Sequence, residues 1–332
     1  MKEELRRLPG FASGLVFVAI ILSLAAFSVE NKSTAGPKVI YGPDDRQDVY
    51  EVTDPDLLFI SQGTLAILED YEVTDNGDGT YDLNTIPYAD YYGLCEGEPF
   101  GNQPTAGFCS GFLVAPDIVA TAGHCIAFDE NCADYQTRCE ELRFVFGFQM
   151  TDESTAVTTL PEEDVYSCKS GDGLMDCVFD GGGADWALIR LDRPVVSRTA
   201  LPVRRMGTIS EQTPVGVVGH PATLPQKIAV NAEVRSVETE FFVANLDTYG
   251  GNSGSPVFNT NDYVVEGILV RGEVDYVYQF QGCQGGCYVS KRCPDTGCRG
   301  EDATKTTEFA DLIMVSIPAG YFDMGDHLTE EY

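Results

Sequence analysis

A histidine, an aspartate and a serine stand in settings that their side chains do not explain by themselves. His124 lies in TAGHC, directly after an apolar hairpin and against Cys125; Asp185 precedes an apolar run in GADWALIRL; Ser253 occupies GNSGSP. A hydroxyl becomes a useful nucleophile when a neighbouring base takes its proton, and an imidazole does this near neutral pH if a carboxylate holds the right tautomer. Read together, Ser253 would attack a carbonyl, His124 would accept and redeliver the proton, and Asp185 would steady the imidazole. Read singly, each has a structural explanation. A buried neutral histidine satisfies backbone groups, an acid before a strand forms an ion pair or caps a turn, and a serine among glycines is a solvated turn residue. Gly251 N–H and Ser253 N–H could point into one nest and stabilise a developing oxyanion, a place where a side chain at 251 would intrude.

The elements that must position these residues read as strands. Short Val, Ile, Leu, Phe and Tyr runs recur between Gly, Pro, Asn and Asp, and long periodic helices are scarce. Tyr71–Thr74 and Tyr81–Ile86 flank a polar turn and read as a hairpin; Phe112–Val114 and Ile118–Ala120 read as another. Val215–Val218 and Val264–Val270 are later strands. The turn DNGDGT at Asp75–Thr80 clusters oxygens as a calcium loop does, but lacks that motif's full spacing and closing acid, so a turn is the stronger reading. No phosphate-binding glycine motif appears in a supporting context, and no cofactor is required.

Fifty-two acidic against 21 basic residues give a formal charge of −31, which repels phosphate backbones and excludes a nucleic-acid partner. Lys2, Arg6 and Arg7 precede 17 mostly apolar residues, Phe11–Phe27, with a small-x-small site at Ala26–Ser28. That order predicts a secretory leader cleaved before Val29, the alternative being a single N-terminal anchor. Eleven cysteines follow the leader, which predicts disulfides in an oxidising compartment, secreted or periplasmic, with at least one cysteine left over. The expected layout is a leader over 1–28, a tether or pro-segment with a leading strand over 29–48, a first half over 49–195 carrying His124 and Asp185, a second half over 196–305 carrying Ser253, and a C-terminal element with an acidic tail over 306–332. A monomer without stable membrane association after cleavage is expected.

With TAGHC, DWAL and GNSGSP in the order His124, Asp185, Ser253, the sequence resembles chymotrypsin-fold (trypsin-like) serine endopeptidases, in particular the bacterial branch related to glutamyl endopeptidases. The likeness spans roughly Val39 to Gly300. It implies an all-β fold of two perpendicular six-stranded antiparallel barrels, allowing a short C-terminal helix, with catalysis at their junction. It implies peptide or protein substrates, an acyl-enzyme, an oxyanion hole from Gly251 and Ser253, no metal, and a disulfide between Cys109 and Cys125. VIYGPDDR, Val39–Arg46, resembles the mature N-terminus of bacterial relatives, with Lys38 and Val39 flanking a processing bond. Asn252 replaces the aspartate of digestive relatives and cannot form their charged pair with a new amino terminus.

The resemblance also outlines a specificity pocket from Asp247, Thr248, Leu269, Arg271 and Gly272. Asp247, six residues before Ser253, holds the register of the acid that attracts substrate Arg or Lys in trypsin-like relatives, so a basic residue before the scissile bond is expected. Asp247 could instead cap a turn or pair with Arg271. Leu269 stands where glutamate-cleaving relatives use a histidine; Thr248 fits their pocket, but loss of the positive partner argues against Glu. The rival readings are a catalytically silent binding protein of the same fold, a glutamate-preferring endopeptidase, an esterase and an envelope or adhesion role. His220 could line the cleft or make a local backbone bond, and Trp186 is expected to pack at the junction rather than bind a cofactor.

Overall fold

The computed structural model describes residues 39–127, 132, 135–281 and 285–313. The predicted leader, Lys38, Cys283, His327 and the acidic tail lie outside the described residues. The strand-and-turn reading holds: the longest described helix is Pro55–Gly63, and two antiparallel seven-stranded sheets dominate. Among the described residues no helix is long and apolar enough to cross a membrane.

The first sheet runs, in spatial order, Val165–Ser167, Leu142–Phe146, Thr64–Glu69, Cys109–Ala115, Ile118–Thr121, Asp185–Arg190 and Leu174–Phe179. The second runs Pro214–Gly219, Pro256–Asn259, Val265–Arg271, Glu301–Lys305, Phe241–Ala244 and Lys227–Val237, with the two-residue strand Gln47–Asp48 paired outside it. The eleven-residue strand Lys227–Val237 closes this second sheet. Its first half pairs with Pro214–Gly219 and, beyond a bulge, its second half pairs with Phe241–Ala244. A bulge bends a strand and raises its twist, so one long strand can serve both neighbours and complete a six-stranded barrel.

The first half does not match the expected closed barrel. It is an open, strongly curled sheet: among the described residues the edge Val165–Ser167 reaches the far side only past its end, through the bridge Cys168↔Leu191 beyond Asp185–Arg190 and flanking bonds such as Lys169 N–H to Arg190 O, 2.9 Å. The edge strand Val165–Ser167 is three residues long, and the other edge, Leu174–Phe179, is bulged at Met175 and half exposed. Neither offers enough regular ladder for closure. Cys139–Cys168 ties the end of the first edge strand, and Cys132–Cys177 the other edge strand, to the segment preceding Leu142–Phe146. The remaining disulfides are Cys95–Cys287, Cys109–Cys125 and Cys293–Cys298.

Leu65, Phe112, Leu113, Leu188 and Ile189 of the first sheet are buried in one core, which continues into Val218, Ile228, Phe258 and Ile268 of the barrel. Trp186 is buried within it, 5.6 Å from the Phe309 ring, and so packs between the two halves. The predicted hairpin forms as Val73–Asp75 and Thr80–Leu83. Its acidic side chains bond their own turn: Asp75 Oδ1 accepts Gly77 N–H at 2.8 Å and Asp78 Oδ1 accepts Thr80 N–H at 3.1 Å.

Candidate active site

His124 sits in the single turn Gly123–Ile126 that follows the strand Ile118–Thr121, and Asp185 is the first residue of the strand beside it. That adjacency makes a two-point contact. Asp185 Oδ1 accepts the His124 backbone N–H at 3.1 Å, and Oδ2 lies 2.7 Å from Nδ1. Both side chains are almost wholly buried, so the carboxylate fixes ring orientation and places the proton on Nδ1. The other nitrogen, Nε2, is buried and makes no hydrogen bond among the described residues, which leaves its lone pair for a proton. The Asp185 N–H donates to Thr304 Oγ1 of the barrel at 3.1 Å, tying the acid to the opposite half.

Ser253 is buried on the loop between Phe241–Ala244 and Pro256–Asn259. Its carbonyl accepts Ser110 N–H at 2.7 Å and touches Cys125 Sγ at 3.7 Å, and that sulfur is within 4.8 Å of a His124 ring nitrogen. The Ser253 backbone therefore lies against the turn that carries His124. The Cys109, Cys125 and His124 cluster has the compactness of a metal site, but the two sulfurs share a disulfide and offer no thiolate.

The backbone around Ser253 is tightly turned and packed. Gly251 has φ +93°, and a Cβ there would lie 2.6 Å from His220 O; Gly254 has φ +90°, and a Cβ there would lie 1.9 Å from Ser110 O. Only glycine fits either position. Gly250 O accepts Ala222 N–H at 2.5 Å and Asn252 O accepts Ser255 N–H at 2.9 Å. In a trans peptide the N–H opposes the C=O, so these bonds turn Gly251 N–H and Ser253 N–H away from Ala222 and Ser255. Asp275 Oδ2 accepts Gly250 N–H at 3.0 Å and steadies the same loop. Asn252 Oδ1 accepts Ser255 Oγ at 3.3 Å.

The outlined pocket is divided by the structure. Asp247 is buried and faces the N-terminal segment: Oδ1 accepts Tyr41 N–H at 2.6 Å and Oδ2 accepts Asp45 N–H at 3.0 Å. Burial, with the nearby Asp45 carboxylate, pushes its carboxyl up to about 8. Arg271 is not its partner; Arg271 bonds Asp302 at 3.2 Å and Gly183 O at 2.8 Å. Leu269 is buried in the barrel core. Thr248 and Gly272 instead converge on a residue the sequence did not single out. Thr248 Oγ1 donates to Glu301 Oε2 at 3.3 Å, and a Cβ on Gly272 would lie 1.6 Å from that oxygen. Glu301 opens the last barrel strand and is fully buried. Its acidic neighbourhood in GEDAT reads as surface, and only the pairing of Glu301–Lys305 with Val265–Arg271 brings it inside. Thr304 and Ser110 were missed for the same reason.

His220 is buried, donates from Nδ1–H to Leu224 O at 3.0 Å, and stacks on Phe148 at 5.8 Å. Burial pulls its imidazole down to about 4, so it is neutral at pH 7.

A buried histidine–aspartate pair, tied to both the curled β-sheet and the β-barrel, suggests the catalytic dyad of a trypsin-fold peptidase. Residues 109–268 match the family described as trypsin-like peptidase domain, and the chain carries such a chymotrypsin-fold serine-peptidase domain. Solved structures similar to it include human heparin binding protein, at 14% identity over 82% of this chain and 94% of that one with a TM-score of 0.47. A Glu endopeptidase in complex with MPD is similar at 18% identity, over 82% of this chain and 98% of that one, with a TM-score of 0.44. No curated protein matches the chain.

Proposed function

We propose that the protein is a serine endopeptidase that cleaves peptide bonds through an acyl-enzyme. The observation that carries this reading is the buried His124–Asp185 pair with Nε2 unbonded, beside the Ser253 loop, inside the matched peptidase domain. Ser253 Oγ attacks the scissile carbonyl while His124 Nε2 takes its proton. Asp185 keeps the proton on Nδ1 and offsets the positive charge that His124 acquires. The carbonyl oxygen, now negative, is held by Gly251 N–H and Ser253 N–H. His124 then protonates the leaving amine, the C–N bond breaks, and water deprotonated by His124 releases the acid product and restores Ser253.

Arg or Lys before the scissile bond is the preferred substrate residue. Glu301 supports this, since its carboxylate lies against both Thr248 and Gly272. Asp247 then serves chiefly to anchor the N-terminal segment. Five disulfides and the apolar leader support a site of action outside the cytosol, secreted or periplasmic.

A fluorophosphonate probe should label the parent on Ser253 and leave Ser253→Ala unlabelled, with peptide hydrolysis lost and melting temperature retained. An unlabelled parent that cuts no member of a diverse peptide library would overturn the enzyme reading in favour of a silent binding protein. In the same library, cutting after Glu as fast as after Arg or Lys would overturn the basic preference, and Glu301→Gln should reduce cutting after basic residues selectively.

A further inference from the structure

We propose that the Ser110 hydroxyl is a positioning group for the reaction: it holds the Gly251 carbonyl and the His220 turn, whose Ala222 N–H fixes the Gly250–Gly251 peptide, and thereby keeps the Gly251 N–H turned towards the substrate oxyanion. The inference rests on the peptidase reading above.

Ser110 lies in the first sheet, on the strand Cys109–Ala115, and is fully buried. Its hydroxyl donates to Gly251 O at 2.8 Å and accepts His220 N–H at 3.0 Å. Its own N–H donates to Ser253 O at 2.7 Å, and its carbonyl accepts Thr121 Oγ1 at 2.7 Å. Every polar group of this one residue is engaged, and two of the bonds fall on the nucleophile loop.

Four successive carbonyls, from 250 to 253, fix the peptide planes of that loop. Those of Gly250, Asn252 and Ser253 are held by backbone N–H groups, from Ala222, Ser255 and Ser110. The Gly251 carbonyl alone among the four is held by a side chain. It also belongs to the residue with the greatest freedom to turn, since Gly251 has no Cβ and sits at φ +93°. Without the hydroxyl, Gly251 O and His220 N–H are left as a buried acceptor and a buried donor on the same spot, and rotation about Gly251 is the simplest way for the carbonyl to find another partner. That rotation swings the Gly251–Asn252 peptide, whose N–H donates to Tyr249 O at 3.0 Å, and strains the adjoining Gly250–Gly251 peptide that carries the oxyanion donor.

The His220 turn gives the hydroxyl a second grip on the same peptide. Ala222, at φ 50°, and Thr223, at φ 63°, adopt left-handed backbone that non-glycine residues seldom take, and Ala222 N–H holds Gly250 O. Because His220 N–H ends on Ser110 Oγ, the hydroxyl links this turn to Gly251 in a chain from His220 N–H through Ser110 O–H to Gly251 O. The first sheet thus sets the oxyanion geometry of a loop that belongs to the barrel.

The test uses the full chain. Ser110→Ala and Ser110→Gly remove the hydroxyl and keep the main-chain bonds, while Ser110→Thr retains it; the glycine protein serves if the alanine protein does not fold. Each is compared with the parent for kcat, KM and affinity for a peptidyl trifluoromethyl ketone, whose hemiketal oxygen occupies the oxyanion site. We expect kcat to fall by about 10- to 100-fold, less than outright loss of a donor, with ketone affinity falling in parallel and KM moving little. Threonine should restore most of the loss. A parent that is active while both hydroxyl-free proteins keep kcat within about threefold overturns the inference, as does a loss of kcat with ketone affinity unchanged. A parent that neither hydrolyses peptides nor reacts with the fluorophosphonate would instead overturn the peptidase reading itself.

Discussion

Replacing Asp185 by Asn removes one negative charge from a buried pair and leaves its shape almost unchanged. Asp185 Oδ2 lies 2.7 Å from His124 Nδ1 and both side chains are at most 2% exposed. When His124 takes the serine proton, the imidazolium and carboxylate at that distance attract by about 6 kcal/mol at an effective dielectric near 20. Loss of that attraction raises the barrier by the same order, or between about 10⁴- and 10⁵-fold in rate. Tautomerism acts in the same direction. An asparagine NH₂ facing Nδ1 would donate to it and drive the proton to Nε2, the nitrogen that must accept from Ser253. The magnitude is close to the roughly 10⁴-fold fall in kcat known for one Asp-to-Asn change in a serine-protease triad. The assay is kcat on a peptide substrate, with a circular-dichroism melt to show that the fold is kept. Asp185→Asn protein that folds normally and retains more than about a tenth of parental kcat would refute the assigned role of the pair.

Three further outcomes follow from the packing. Because the buried His220 imidazole is held near 4 against an unfolded value near 6.5, the native state binds fewer protons than the unfolded chain between those values, and stability is lost as pH falls through that window. About 3 kcal/mol should disappear between pH 7 and pH 4, and His220→Asn should flatten that part of a denaturant-midpoint profile; an unchanged slope counts against it. Gly254→Ala places a Cβ 1.9 Å from Ser110 O at φ +90°, so it should lower stability by about 1–3 kcal/mol or more and abolish fluorophosphonate labelling. Ten of the eleven cysteines are paired, so the unreduced, denatured protein should titrate with no more than one free thiol, from Cys283. Three or more free thiols would contradict the pairing.

Local sequence was enough to mark His124, Asp185 and Ser253 as a set, because each lies in a short motif whose neighbours are either apolar or glycine, and chemistry that needs tight turns leaves that trace. The β class was legible for a similar reason, since alternation and turn residues act over a few positions. Tertiary structure alone decided which acid meets which partner. Asp247 turned to Tyr41, 206 residues away, and Glu301 to Thr248, 53 residues away, although both acids look equally free in the chain. The Ser110 contact with Gly251 spans 141 residues and depends on the central strand of the first sheet meeting the loop of a barrel. Sheet closure also escaped prediction: a bulged eleven-residue strand completes the barrel, whereas a three-residue edge leaves the other sheet open. Register and closure arise from pairings between distant segments, and a one-residue slip reverses which side chains point inward, so local residue preferences cannot specify them.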